Sequence, residues 1–426
     1  MQVQLVFRAA GFLTVVASAS LLASSIPPGT PIHVQIDQRT AMSVGQKIEA
    51  HTVDPIYVST EIVIPAGTKV NGIVSALTPD GKARKSARFD GDFTPLHTPV
   101  IQFTSLTLPD NRTIAIDAEP ATQGAPQVKI LSVSAKSQSL ARQLWNQGML
   151  QLKQTKETIT APGKTERLTD YVYGQLPYHP QRIRRDTQWT FDLAAPLEVA
   201  ADPSWQSSKT ADTQTDPDML RLHAYLAKSL NSASSNIGER FEAVVTQPLY
   251  AADHSVEVPV GAVLIGQVTE AKPAKRFGRD GKLRFVFREL NKPEGQEGIQ
   301  GTATAAITDK SASLELDSEG GFKAAQRNRL MDPLILGFLG TRALDEGDGD
   351  QQFAKNAVSS NGFGLVGRIA GSASGSANVA TGFGMYALAV SFYRYYIARG
   401  KDVAFARGTR IEVEAVPSHG TKMPIR

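Results

Sequence analysis

Residues 45–74 read GQKIEAHTVDPIYVSTEIVIPAGTKVNGIV, and residues 238–268 read GERFEAVVTQPLYAADHSVEVPVGAVLIGQV. Gly45, Glu49, Ala50, Pro55 and Tyr57 match Gly238, Glu242, Ala243, Pro248 and Tyr250 at an offset of 193. After one inserted residue, Pro65, Gly67, Gly72 and Val74 match Pro259, Gly261, Gly266 and Val268 at 194. A register kept across that many positions is a duplication. It constrains the fold before any single residue does, because whatever the first run builds the second must build again.

The repeat extends further. Phe103, Leu106 and Pro109 recur in order as Phe287, Leu290 and Pro293. A closing strand is written twice, as Arg185-Asp-Thr187-Gln-Trp189-Thr-Phe191 and Arg407-Gly-Thr409-Arg-Ile411-Glu-Val413, now at an offset of 222. The modules therefore read as 26–199 and 218–417, with a polar linker at 200–217 holding two Asp-Pro pairs and a tail at 418–426.

Each module reads as strands. Ile62-Val-Ile64 and Val256-Glu-Val258 both run into Pro-x-Gly, where proline stops a strand and glycine admits positive φ. Pro65, Gly67 and Gly72, with Pro259, Gly261 and Gly266, are the expected structural turns and close approaches. In Leu283 to Arg288 a period of two puts Leu283, Phe285 and Phe287 on one face and the arginines on the other. The 35 glycines and 24 prolines suit many short strands. The expected class is mainly β: two tandem β-barrel-like modules, each interrupted by a helical excursion before its closing strand.

Those excursions are expected at about 128–160 and 322–400. The first holds Leu140, Leu144, Gly148 and Leu152 at a spacing of four among mostly basic charges. The second opens with apolar Leu330 to Leu344 and the acidic turn Asp345 to Asp350. From Asn356 to Tyr393 it then carries a single charge, Arg368, among many glycines. Small residues at that density let helices approach closely, as membrane helices do. Leu334, Phe338, Phe383, Tyr386, Phe392 and Tyr396 are the candidate membrane or assembly residues. Two readings stand side by side: a helix packed on its own barrel, or a hairpin inserted in a membrane.

At the N-terminus, Arg8 precedes the uncharged apolar run Ala9 to Ala23, and Ala17-Ser18-Ala19 offers small residues for cleavage. Residues 1–25 read as a signal peptide, which implies export to the periplasm or outer membrane of a Gram-negative-type envelope. The absence of cysteine removes lipoprotein acylation, disulfides and thiol chemistry.

On Gly238, Ala243, Leu249-Tyr250, Pro259, Gly261 and Gly266, the chain resembles the TrbI-like family of conjugation and type IV secretion proteins. Arg284-Phe-Val-Phe-Arg-Glu-Leu290 stands where that family has an arginine-bearing strand, and Arg407 to Ile411 looks like its last strand. The resemblance implies an outer-membrane core complex component, with a helical antenna falling at Leu330 to Arg399. It covers the second module well, about half the chain. The leader-like start and the first module depart from the family's usual plan of a cytoplasmic tail, an inner-membrane helix and a proline-rich stretch.

No chemistry-bearing motif stands out. The seven histidines, His33, His51, His97, His179, His223, His254 and His419, have no metal-ligand spacing. There is no nucleophile elbow and no phosphate-binding loop. Asp345 to Asp350 lacks the ligand order of a calcium loop. No catalytic residue, metal or cofactor is expected. Two basic turns, Lys82, Arg84 and Lys85 in one module and Lys275, Arg276 and Arg279 in the other, read either as solvated hairpins or as contacts for anionic lipid head groups or glycans. A formal net charge of +4 is small for 426 residues and gives no reason to expect nucleic acid. The expected function is a non-enzymatic structural component of the envelope, oligomerising at or inserting into the outer membrane through 330–399, with homo-oligomeric or other envelope partners. The alternative is a periplasmic or surface binding module.

Overall fold

The computed structural model describes residues 23–89, 92–132, 177–200, 219–251, 255–324 and 399–418, with a few isolated positions besides. The chain is mainly β. Its N-terminal unit is built on β1 (Pro31–Ile36), β2 (Lys47–Thr52), β3 (Lys69–Pro79), β4 (His97–Thr107), β5 (Gly124–Leu131) and β6 (Thr187–Asp192). A helix, α1 (Gly81–Phe89), lies between β3 and β4. The C-terminal unit is built on β7 (Leu220–Leu226), β8 (Arg240–Val245), β9 (Val263–Lys272), β10 (Lys282–Lys292), β11 (Gly295–Asp309) and β12 (Arg410–Pro417).

Strands β7 to β12 pair in sequence order, and β12 returns to pair with β7, so the C-terminal unit is a closed six-strand barrel. The N-terminal unit follows the same route from β6 through β1, β2, β3 and β4. Its last gap is crossed by single bridges, Ile101 to Ala121 and Ala118 to Leu193. Registers agree between the units: Ile48 faces Gly72 as Phe241 faces Gly266, and Gly72 faces Phe103 as Gly266 faces Phe287. Bulges fall beside Gly72 and Val74 in one and beside Gly266 and Val268 in the other.

Alternation explains the two cores. Inward residues of β1 (Ile32, Val34, Ile36) meet Phe103 and Phe191, whose rings stack at 4.7 Å. The barrel is filled by Phe241, Phe285, Phe287, Phe322 and Phe405 in edge-on and stacked contacts. Each such ring buried contributes on the order of 2 kcal/mol. The two units are one sheet because β5 changes partner half-way. Gly124 to Pro126 pair with β6, while Gln127 to Leu131 pair with β11 of the barrel. Ile130 then packs against the barrel core, and Val260 of the barrel unit packs against the N-terminal core.

Several expected boundaries shift. Residues 128–131 and 322–324, assigned to the excursions, are strand, because their backbone groups are taken by β11 and by β10. Ala23 to Ile26 pair with Leu197 to Ala200, so the folded body reaches into the expected leader and Ala200 is no linker residue. Trp205, inside the expected linker, is buried in the N-terminal core with the Arg112 guanidinium 5.9 Å above its ring. The first basic turn is not a hairpin. Lys82, Arg84 and Lys85 lie on α1, whose first amides are capped by Asp80 Oδ1, which accepts from Lys82 and Ala83 at 3.1 and 2.8 Å. Leu334, Phe338, Phe383, Tyr386, Phe392 and Tyr396 lie outside the described residues, as does most of both excursions. Among the described residues no helix is long and apolar enough to cross a membrane.

Candidate functional site

The residues that face outward from the two cores meet at the junction. Because Ile32 and Val34 point into the N-terminal core, His33 of β1 points away from it, and Thr190 and Gln188 of β6 do the same. Likewise His223 and Tyr225 of β7, Val244 of β8 and Arg410 and Glu412 of β12 leave the barrel. The β5 to β11 ladder holds these outer faces against each other, and between them lies a cavity of about 410 Å³.

One wall of the cavity is polar. Arg410 Nη1 lies 2.5 Å from Asp54 Oδ2, and Arg410 Nη2 donates to Gln188 Oε1. His33 Nδ1 and Thr190 Oγ1 share a 2.9 Å hydrogen bond. Burial, reinforced by the Arg410 charge and only partly opposed by Asp54, lowers the His33 pKa to about 4, so its ring is neutral at pH 7. Beside it Arg407 reaches Asp192 at 2.8 Å and donates to the Gly29 carbonyl at 3.1 Å. Burial raises Asp192 despite that arginine, and burial likewise raises Tyr225. Across β12 a polar cleft of about 510 Å³ holds paired charges: Lys129 with Glu412 at 2.5 Å and Arg221 with Glu414 at 3.2 Å.

Strand neighbours reveal which junction residues correspond. Val34 sits between Thr52 and Trp189, and Ala224 sits between Val245 and Ile411. By that correspondence His33 matches His223, Thr190 matches Glu412 and Gln188 matches Arg410. The contacts match too, since His33 meets Thr190 and His223 Nδ1 lies 3.7 Å from Glu412. Gly124 faces Trp189 as Ala306 faces Ile411, so Gln127 matches Asp309 three residues on. Those two residues stand opposite each other in the β5 to β11 ladder. A two-fold relation between the units would pass through that pair.

The sequence-derived residues lie elsewhere, with one exception. Gly67 and Gly261 both have φ of +83° and donate their amides to Thr52 and Val245, and Gly261 lines the junction cavity. The Pro65 carbonyl accepts from Thr52 and Thr68 hydroxyls at 2.9 and 2.7 Å, and that of Pro259 accepts from the Ala262 amide at 3.3 Å. Gly72 and Gly266 are sites of close approach: a Cβ would stand 2.9 Å from the Gln102 carbonyl at the first and 2.3 Å from the Phe241 ring at the second. Arg84 is absorbed structurally, donating to the Leu96 carbonyl at 2.7 Å. Lys275, Arg276 and Arg279 form a tight turn closed by Lys275 N to Arg279 O at 2.8 Å, with Phe277 exposed at its tip. That turn is docked on the return segment through Arg399 Nε to Ala274 O at 2.9 Å. The two basic groups occupy corresponding connections, β3 to β4 and β9 to β10, in different local structures.

Comparison with known proteins gives little. No family model matches the chain. No curated protein matches it either. Among solved structures, ComB10 of the Com type IV secretion system of Helicobacter pylori aligns at 13% identity over 42% of this chain and 91% of that one, with a TM-score of 0.22. A superposition at that level bears on neither the fold nor the site.

The junction residues Arg410, Asp54 and His33 were not singled out from sequence. The aligned closing strands did carry a signal, since Gln188 and Arg410 are polar at the same repeat position.

Proposed function

We propose that the chain is a non-enzymatic structural component of a bacterial cell envelope, of the TrbI-like kind. In this reading it is an exported, duplicated β module fused into a pseudo-dimer whose residues 330–399 assemble the protein at the outer membrane. The observation that carries the reading is how the barrel closes. β12 pairs along its length with both β7 and β11, so the six-strand ring is complete from described residues alone. The ring thus closes without a strand from residues 330–399, and the part of the connection that serves the barrel core is its end, where Val403 and Phe405 are buried. Matching registers, matching bulges and the correspondence of Gln127 with Asp309 support duplication followed by fusion of a self-paired module.

Sizing the full chain in mild detergent tests the assembly. A particle several times the 45.8 kDa chain mass is expected; a monomer at all concentrations would count against it. A second reading, binding of anionic head groups or glycans, draws on Lys275, Arg276 and Arg279, which make no ion pair among the described residues around exposed Phe277.

A further inference from the structure

We propose that the junction cavity is a binding site for a small uncharged amphiphile, with an apolar body between the two units and one hydrogen-bonding group at His33. Outer faces of barrel strands are ordinarily solvated and polar. Here Val244, Val260 and Ile307 from the barrel side and Ile56 and Val58 from the N-terminal side turn apolar surface into one space. Its volume of about 410 Å³ falls within the usual range for small-molecule pockets. Water finds few partners against such walls, whereas an apolar body gains by leaving solvent.

The polar wall selects against ions. Arg410 is matched by Asp54 at 2.5 Å, and Glu412 by Lys129 at 2.5 Å, so neither leaves a charge for a ligand to neutralise. An ion placed there would lose its hydration without a free counter-charge. His33 offers an open hydrogen-bonding group. Its Nδ1 is engaged by Thr190, while Nε2 has no partner among the described residues, and the ring lines the cavity. Asp54 and Arg410 hold the repeat positions of Gln247 and Gln188, so the polar wall is not two-fold symmetric.

The test is a fluorescence titration of the full chain with N-phenylnaphthylamine, an uncharged aromatic carrying one N–H, beside its sulfonated counterpart anilinonaphthalenesulfonate. One saturable site per chain is expected for the uncharged probe, with the sulfonate at least about tenfold weaker. Val244→Trp, which fills the cavity from β8, should weaken the uncharged probe by about tenfold or more with an unchanged circular dichroism spectrum. If that variant does not fold, Ile307→Trp fills the space from β11. His33→Phe keeps the ring shape and should weaken binding by about threefold to tenfold. Absence of a saturable site, binding untouched by either tryptophan, or tighter binding of the sulfonate would overturn the proposal.

Discussion

At the scale of single residues, two kinds of glycine do different work in one motif. Gly67 and Gly261 sit in open space at φ +83°, so alanine there costs only the left-handed backbone, about 1 kcal/mol. Gly266 has ordinary space only as glycine, because a Cβ would stand 2.3 Å from the Phe241 ring. Urea unfolding should therefore rank Gly266→Ala as the more damaging change, at about 2–3 kcal/mol; equal losses would show that the ring moves aside freely. His33 supplies a pH signature. Its unfolded pKa is 6.5 and its folded value about 4, with Arg410 and Asp54 as the charges facing it. Between those values the unfolded chain binds the extra proton, so stability is full above pH 6.5 and declines as pH falls toward 4. The decline from this group amounts to about 3 kcal/mol at most, and His33→Phe should flatten that part of the stability profile measured by chemical unfolding.

At the scale of elements, the strands were legible because their information is local. Alternation in Leu283 to Arg288, the Pro-x-Gly breaks and the repeated closing run all state their conformation within a few residues. Helix α1 was not legible. GKARKSARF has no apolar stripe, and what starts it is the Asp80 cap together with β3 and β4 holding its ends. The junction was hidden for another reason. The second half of β5 pairs with residues close to 180 positions away, and nothing in Gly124 to Leu131 announces a change of partner at Gln127. That element should govern how the units melt. Ile130→Lys places a charge against the barrel core and should lower stability by about 2 kcal/mol or more, with one calorimetric transition splitting into two. A single unshifted transition would mean that the units hold together without β5.

At the scale of the whole molecule, two units that resemble each other strand by strand are joined through a strand crossing and through two arginines of the second unit, Arg407 and Arg410, set on Asp192 and Asp54 of the first. The six-strand ring closes through β7 to β12 alone, and the role proposed for residues 330–399 is to act between molecules. The envelope-component account therefore rests on what residues 330–399 do for location. The most direct measurement is fractionation of cells producing the full chain or a chain with 330–399 replaced by a short Gly-Ser linker. The account predicts the full chain in the outer-membrane fraction, and the shortened chain soluble with its β-rich circular dichroism spectrum retained. Recovery of both as soluble monomers would contradict it.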